Sequence, residues 1–190
     1  MTMAEAASLF CETLVTDQAL ANVTSPQEEL AILNTFLVTA VMNVVGAQSA
    51  FLFEQDAFKR REQADLSVDE LCDLSKQFDK EVFGDALNPD HIHPYAWAAA
   101  PHSFMPGISF YNFPYAFGLL FSLGLYAQYQ QRGSAFVADY ESLLASTGEV
   151  MPSELAERFG IRLDDAGFWQ ASLGVIEKRI QRFQELCAAQ

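Results

Sequence analysis

The sequence predicts an all-α fold, organised as one helical domain over residues 1–190. Apolar residues recur at helical spacing along most of the chain, with capping signals at helix starts and glycines at helix ends. Hydrophobic residues make up 51% of the sequence and charged residues 19%, a composition typical of a globular domain. A chain of 190 residues is long enough to bury one sizeable core, so we expect a single domain.

The first half of the chain is predicted to form three helices. The first covers about residues 2–21. Ser25-Pro26-Gln27-Glu28 places an N-cap, a proline and a glutamate in the order that begins a helix, here one reaching toward Arg61. Ser67-Val68-Asp69-Glu70 is a second capping box, whose helix is expected to stop at Gly84. The long second helix is expected to pack along one face, which carries Phe36, Ala40, Val44, Ala47 and Phe51.

The second half opens with an irregular segment and ends in helices. Four prolines interrupt Asp85–Gly107, so regular structure is not expected there. An apolar helix should follow from about Phe110 to Gln131, where Gly118 and Gly124 would let neighbouring helices approach closely. Shorter helices are predicted at residues 134–146 and 153–159, with a final helix from 164. The final helix carries an apolar stripe at alternating four-three spacing, formed by Trp169, Leu173, Ile176, Ile180, Phe183 and Cys187.

The charge of the chain argues against several partners. Its net charge is -14, from 25 acidic and 11 basic residues, so it repels phosphate backbones and anionic lipid heads. Lys59-Arg60-Arg61 is the densest basic cluster and is predicted to be a solvated helix face. We therefore expect no nucleic-acid partner. Two uncharged stretches, Leu30–Phe53 and Pro94–Gln131, are interrupted by polar residues or prolines, and we predict buried core helices and no membrane partner.

Cysteine usage indicates a reducing compartment. Cys11, Cys72 and Cys187 are odd in number, lie far apart and form no Cys-x-x-Cys pair. The sequence does not open with a basic region followed by an apolar one, the pattern of a secretory signal. We therefore expect a cytoplasmic location.

Several segments carry a resemblance to a known family. In Pro101–Gly118, a histidine precedes an aromatic ladder, and this segment resembles the substrate side of the oligoendopeptidase F branch of the M3 zinc peptidases. Met3–Glu12 resembles the family's third zinc-ligand helix, and Met151–Ile161 resembles its Pro-x-Glu-Leu and Gly-Ile/Val segments. Phe53-Glu54 and Leu66–Leu71 resemble pieces that lie between them in the family. The shared order indicates an all-helical part of the catalytic domain, at its C-terminal side.

The resemblance implies a set of site residues. Glu5 takes the zinc-ligand position, and Glu12 takes a supporting acidic position on the same helix. His102 would donate a hydrogen bond near the scissile carbonyl, and Tyr115 would stabilise the oxyanion of the tetrahedral intermediate. Tyr111 lies four residues before Tyr115, on the same predicted helix face. Taken from the residues alone, packing with a satisfied hydrogen bond is the alternative for the histidine and both tyrosines.

The zinc-binding motif of the family is missing from the sequence. There is no His-Glu-x-x-His, which supplies two zinc ligands and the general base in these enzymes. The sequence holds three histidines, and the His91-Ile92-His93 pair is more typical of an exposed loop than of a metal site. Zinc is thus expected in the complete enzyme, and this chain alone is predicted to be inactive. Neither a nucleophile elbow nor a phosphate-binding glycine loop is present.

Two functions follow from these observations. The first is a C-terminal segment of a zinc metalloendopeptidase that hydrolyses short peptides, with Glu5 and Tyr115 in one cleft and an associated N-terminal half. The chain would then be a truncated gene product, one half of a split protein or a cloned fragment. The alternative is a non-catalytic helical module, derived from the same family, that binds a partner or forms a homodimer through apolar faces left uncovered.

Overall fold

The computed structural model describes residues 2–99, 105–107 and 110–189, and every regular element in those residues is helical. The predicted all-α fold is confirmed. A π turn lies at Met42–Gly46, and 3₁₀ turns lie at Gly84–Ala86, Pro89–His91 and Gly133–Phe136. The α-helices are α1 (Ala6–Ala21), α2 (Pro26–Val41), α3 (Ala47–Arg61), α4 (Val68–Phe83), α5 (Ala96–Ala99), α6 (Phe113–Arg132), α7 (Val137–Ala145), α8 (Pro152–Arg158) and α9 (Ala166–Ala188).

The chain divides into two compact units. Unit 1 comprises Met1–Ala40 and Phe117–Gln190, and unit 2 comprises Val41–Ala116. Each unit has a buried cluster of its own apolar side chains. The single domain over residues 1–190 stays a prediction.

The core of unit 1 is built mainly from aromatic and aliphatic side chains of α1, α6 and α8. Phe121 is fully buried, and its ring stacks on Phe117 at a centroid distance of 5.4 Å. Phe10 packs against Tyr140 at 4.3 Å between centroids. The buried members of the cluster are Met3, Ala6, Phe10, Phe121, Leu125, Tyr126, Phe136, Leu143, Leu155, Ala156 and Ile161.

Two glycines of α6 permit close approaches, as the sequence predicts. A Cβ atom on Gly118 would lie 2.8 Å from the Cβ atom of Glu5, closer than real side chains come. A Cβ atom on Gly124 would overlap the ring of Phe168. The backbone of α6 therefore touches both the residue that precedes α1 and a side chain of α9.

A buried ion pair lies on the inner face of α9. The guanidinium of Arg179 is 2.8 Å from a carboxylate oxygen of Asp17 and 3.9 Å from the ring centroid of Phe36. Burial lowers the pKa of Arg179, and the nearby Asp17 carboxylate opposes that effect. Gln130 also donates a hydrogen bond to Asp17, at 3.2 Å. The pair is expensive to break because either partner would be left without its counter-charge.

The apolar stripe of α9 is only partly buried. The buried residues of α9 are Ser172, Arg179 and Leu186. Leu173 is 49% exposed and Ile180 is 40% exposed. Arg179 faces inward, where it contacts the Asp17 carboxylate and the Phe36 ring. With Arg179 on the inner face of α9, half of the apolar stripe faces solvent.

Unit 2 is organised by α3 packed against α4. Its buried cluster consists of Phe53, Ala57, Leu74 and Phe78. The predicted capping box at the start of α4 is confirmed, because the Ser67 hydroxyl accepts from the Glu70 amide and the Glu70 carboxylate accepts from the Ser67 amide at 2.8 Å. The Ser67 hydroxyl also donates to the Glu70 carboxylate at 2.7 Å, and this bond, followed by the bond from the Ser67 amide, lowers the pKa of Glu70. At the other end Gly84 adopts a φ of 53°, as expected for a helix stop.

The π turn changes which residues of the second predicted helix are buried. Phe36 and Ala40 of α2 are buried as predicted, and so is Ala47. Phe51 is 41% exposed, although regular helical spacing places it on the same face. A π turn adds one residue to a helical turn, so the face shifts after Gly46 and buries other side chains of α3.

The same segment has the length and composition of a membrane span. Among the described residues, Pro26–Arg61 is long and apolar enough to cross a bilayer, and 22% of its most apolar window is buried. Core helices of soluble proteins meet the same criterion, so length and composition alone are weak evidence that this segment crosses a membrane. The burial is lower than the predicted core helix would have, because several apolar side chains face outward, among them Val38, Val41 and Met42.

Two element boundaries differ from the sequence prediction. Helix α6 begins at Phe113 rather than Phe110, and α1 begins at Ala6 rather than Thr2. Phe110 has a φ of 61°, which lies outside the helical region and so delays the start of α6. The proline-rich segment contains the short helix α5 and two 3₁₀ turns in its described part.

A matched pair of glycine substitutions tests the close approach at α6. Gly118→Ala should lower the free energy of unfolding by about 1–3 kcal/mol, because the new methyl group overlaps Glu5. Gly174→Ala, in the middle of α9 with no atom within 4 Å of the new methyl group, should raise it by about 0.5–1 kcal/mol. Urea unfolding of both variants measures the difference. Equal stability of the Gly118→Ala variant and the parent chain would contradict the close packing.

The hydroxyl of Tyr140 gives a second test. It is buried without a hydrogen-bond partner, and burial, with a smaller effect of Cys11, raises the pKa of Tyr140 to about 12. Because the pKa of Tyr140 is higher in the folded chain than in the unfolded chain, the neutral phenol favours the folded state. This contribution to the free energy of unfolding is complete below the unfolded pKa near 10 and is lost as the pH rises toward the folded pKa of about 12. Tyr140→Phe should stabilise the fold by about 1 kcal/mol at neutral pH and flatten the alkaline end of the stability curve. If thermal unfolding showed Tyr140→Phe to be less stable than the parent chain, the conclusion that the Tyr140 hydroxyl is buried without a hydrogen-bond partner would be contradicted.

Candidate functional site

Glu5 lies at the N-terminal end of α1, in unit 1. Its backbone carbonyl accepts hydrogen bonds from the Leu9 amide and the Ser8 hydroxyl, both at 3.1 Å. Its side chain is half-buried beside the Gly118 backbone. The carboxylate that the resemblance assigns to zinc is therefore held on a packed helix start and not on a loose tail. Glu12, the proposed supporting acid, is exposed on the same helix.

Tyr111 and Tyr115 lie in unit 2 and touch each other. Their ring centroids are 5.6 Å apart and the rings are nearly perpendicular, at 88°. The prediction that both lie on one face of a helix is corrected, because α6 begins at Phe113 and Tyr111 precedes it in a turn. The two phenols are nevertheless brought together by an edge-to-face contact, an arrangement that aromatic pairs favour.

The remaining site candidates are histidines. His102 lies outside the described residues, so its role stays a prediction. His91 and His93 are exposed, and the His93 ring nitrogen Nδ1 accepts a hydrogen bond from the Tyr95 amide at 3.2 Å. That bond occupies one of the ring nitrogens that His91 and His93 could offer to a metal ion. The shared cleft of Glu5 and Tyr115 also stays a prediction.

A buried carboxylate links α3 to the start of α6. Glu54 is only 5% exposed, and it accepts a hydrogen bond from the side-chain amide of Asn112. The carbonyl of Asn112 in turn accepts from the Tyr115 amide at 3.2 Å. Burying a charged or polar side chain is costly unless it is hydrogen-bonded. Glu54 therefore fixes the turn from which Tyr115 extends.

Tyr115 lines a cavity of about 370 Å³ within unit 2, whose walls are mostly apolar with several polar groups among them. Glu54 and Asn112 form part of its wall, and so do Ser49 and Asp79, whose side chains share a hydrogen bond of 2.6 Å. Ser49 is 4% exposed, so this bond is largely shielded from solvent. The cavity thus combines a phenol with amide, hydroxyl and carboxylate groups, a set suited to binding a polar backbone such as a peptide.

A smaller cavity of about 220 Å³ lies next to it in unit 2. The two cavities share three lining residues, Phe53, Glu54 and Trp97. The smaller one is lined mainly by apolar side chains. Unit 2 therefore presents two adjoining cavities, both mainly apolar, on the two sides of common walls.

A zinc centre needs more ligands than the described residues bring together. A catalytic zinc is held by three protein ligands and keeps one position for water. Across residues 2–99, 105–107 and 110–189, no three His, Cys, Asp or Glu side chains are grouped to hold a metal ion. The described part of this chain therefore does not form a complete zinc site, and Glu5 is a candidate for one ligand only.

Glu54, Asn112 and Trp97 were not predicted as site residues. The sequence contains one signal for Glu54, a lone carboxylate directly after the apolar run Phe51-Leu52-Phe53. An acidic residue on the same helix face as a core residue such as Ala57 points inward and requires a partner. Asn112 and Trp97 carry no such signal, because their positions depend on how the irregular segment folds back on α3.

Comparisons with known proteins indicate a family for this chain. Residues 1–175 match the family described as Peptidase family M3. Group B oligopeptidase PepB of Streptococcus agalactiae is 23% identical over 188 residues, covering 98% of this chain and 31% of that protein. The plasmid-encoded oligoendopeptidase F of Lactococcus lactis subsp. cremoris is 24% identical over 186 residues, covering 97% of this chain and 30% of the relative.

The chain spans about a third of the length of these curated relatives. No solved structure matches it closely enough to be compared. The family match covers far more than half of the chain, and the matched range includes the segments that carry the sequence resemblance. The chain belongs to peptidase family M3, as an oligoendopeptidase F-like part of that family.

Proposed function

We propose that this chain supplies one part of the peptide-binding and catalytic region of an M3 oligopeptidase. The observation that carries the proposal is the cavity of unit 2 in which Tyr115 stands beside the buried Glu54–Asn112 hydrogen bond. Membership of the peptidase family supports an oligopeptide as the substrate. The His-Glu-x-x-His helix would come from a segment that is not in this sequence.

Each site residue has a defined task in this proposal. Tyr115 donates its hydroxyl proton in a hydrogen bond to the oxyanion that forms at the scissile carbonyl. Tyr111 packs against Tyr115 and keeps its ring in place. His102 hydrogen-bonds the substrate near the same carbonyl. Glu5 contributes one carboxylate ligand to zinc, whose role in the complete enzyme is to polarise the carbonyl and lower the pKa of bound water.

We place the protein in the cytoplasm. All three cysteines are free thiols, and Cys72 is buried, where its sulfur accepts a hydrogen bond from the Trp97 indole at 3.5 Å. Free thiols of this kind are typical of reducing compartments.

The test of this function uses the gene and the chain in turn. We expect an in-frame His-Glu-x-x-His upstream of the codons for this chain, and chelator-sensitive hydrolysis of short quenched peptides by the polypeptide that includes it. The 190-residue chain alone, assayed with zinc, should show no turnover because the general base is missing. Turnover by the isolated chain, or an upstream frame without the motif, would overturn the proposal.

A tyrosine pair sharpens the test in that longer protein. Tyr115→Phe should lower kcat by about 10²–10³-fold with little change in KM, because the oxyanion loses a hydrogen bond that forms in the transition state. Tyr95→Phe serves as the matched control, since Tyr95 is 51% exposed and removing its hydroxyl should leave kcat unchanged. Equal kcat values for the two variants would remove Tyr115 from the catalytic role.

A second candidate function rests on the exposed apolar side chains. Val41 is 44% exposed and Met42 is 60% exposed, next to one another at the end of α2. Apolar groups in this position favour association with another surface. A non-catalytic module that forms a homodimer, or that binds a separate peptidase half, would cover them.

Light scattering of the purified chain distinguishes this alternative. A homodimer through this face should show a molecular mass that rises with concentration, and Met42→Glu should shift the equilibrium toward monomer by placing a charge in the interface. Thr35→Glu, which adds the same charge at an exposed position of α2, is the control. A monomer at all concentrations would count against the module.

A further inference from the structure

We propose that a cavity in unit 1 binds a small organic carboxylate with the size and chemistry of an N-acylated apolar amino acid. The cavity has a volume of about 530 Å³, within the range of roughly 300–1,000 Å³ that is typical of small-molecule pockets. It lies among α1, α2, α6 and α9, and all of its lining residues belong to unit 1. Tyr115 and the two cavities described above belong to unit 2, so this inference does not depend on the proposed peptidase function.

The buried guanidinium of Arg179, which lines the cavity, is only partly satisfied. Arg179 is 6% exposed, and its Nη2 donates to Asp17 at 2.8 Å, whereas its Nη1 has no hydrogen-bond partner among the described residues. Asp17 also accepts from Gln130, so its carboxylate is shared between two donors. A buried donor without an acceptor is rare in folded proteins and indicates an acceptor that comes from outside the chain.

Lys178 adds a positive charge without a counter-charge to the same cavity. The third basic side chain of the lining, Arg182, is held by Glu29 at 2.7 Å. Lys178 is exposed, and no carboxylate of the described residues lies within ion-pair distance of its ammonium group. In a chain with a net charge of -14, a cation that remains unpaired beside a cavity favours an anionic ligand.

The two cations have different tasks toward a ligand carboxylate. Lys178 is exposed and binds it directly in a charge-assisted hydrogen bond. The Nη1 atom of Arg179 is shielded from solvent, so it pairs with the carboxylate through a water molecule or after a small shift of a lining side chain. A negative charge at this place also offsets the burial that lowers the pKa of Arg179.

The remaining walls suit an apolar group of the ligand. No side chain projects from Gly174 of α9, and a Cβ atom added there would meet no atom within 4 Å, so open space lies beside the backbone. A side chain as large as that of leucine would exchange water for aliphatic contacts in this space. The apolar lining residues are Leu20, Leu33, Ala127, Ala171 and Val175.

Two glutamine side chains of α6 provide amide groups in the lining. Gln130 is bonded to Asp17, whereas Gln131 is exposed and makes no side-chain hydrogen bond with the described residues. The amide of Gln131 can both donate to and accept from an amide of the ligand. A carboxylate, an apolar group and an amide occur together in an N-acylated amino acid and at the carboxyl terminus of a peptide, so these two sources share one chemistry.

The test measures binding by the 190-residue chain with nuclear magnetic resonance. The backbone amide of Gly174 is the probe, and Gly174→Ala identifies its signal by removing it. The signals of Gly84, Gly148 and Gly160, which do not line this cavity, are internal references. N-acetyl-leucine should shift the Gly174 signal in a saturable manner and leave the references in place. N-acetyl-leucinamide has the same shape without the charge and should bind roughly tenfold more weakly.

A matched pair of lysine variants tests the charge. Lys178→Gln should weaken the binding of N-acetyl-leucine by roughly tenfold and leave that of N-acetyl-leucinamide unchanged, because the amide has no charge to lose a partner. Lys178 is exposed and unpaired, so its replacement should leave the fold intact. Lys80→Gln removes an exposed lysine of α4 in unit 2 and should change neither affinity.

N-acetyl-glycyl-glycyl-leucine distinguishes the two sources of the ligand. Binding as tight as that of N-acetyl-leucine identifies the carboxyl terminus of a peptide, and binding of N-acetyl-leucine alone identifies a free acylated amino acid. Either result supports the carboxylate site. No saturable shift of Gly174, equal affinities for the acid and the amide, or equal effects of Lys178→Gln and Lys80→Gln would overturn it.

Discussion

The buried carboxylate of Glu54 is the constraint on which the architecture of unit 2 depends. A carboxylate that is 5% exposed costs several kcal/mol unless a donor satisfies it, and Asn112 provides that donor. The bond joins α3 to the turn before α6, and the Asn112 carbonyl then accepts from the Tyr115 amide. Both cavities have Glu54 in their walls. The Glu54–Asn112 contact thus helps to position a candidate catalytic phenol beside a wall that the two cavities share.

Local signals were sufficient to predict the helices and their ends. The Ser67–Glu70 capping box and the Gly84 stop depend on neighbouring residues in the chain, and both form as predicted. The buried faces were harder to predict, because regular spacing cannot reveal the π turn at Met42–Gly46 that exposes Phe51. The inward turn of Arg179 depends on Asp17, 162 positions away in sequence, and this long-range pair overrides the apolar stripe of α9. The site was predictable to the extent that motifs mark it: Glu5 and Tyr115 follow from the family resemblance, whereas Asn112 and Trp97 become visible only in the folded chain.

Glu5 and Glu54 differ in their surroundings. Glu5 is half-buried at a helix start, so part of its side chain remains exposed to solvent. Glu54 is enclosed and bonded to Asn112, an arrangement that positions other groups. Both glutamates stand next to apolar residues in the sequence, and burial distinguishes them in the folded chain. Under the proposed function, Glu5 acts as a metal ligand, and Glu54 holds the wall of the cavity that Tyr115 lines.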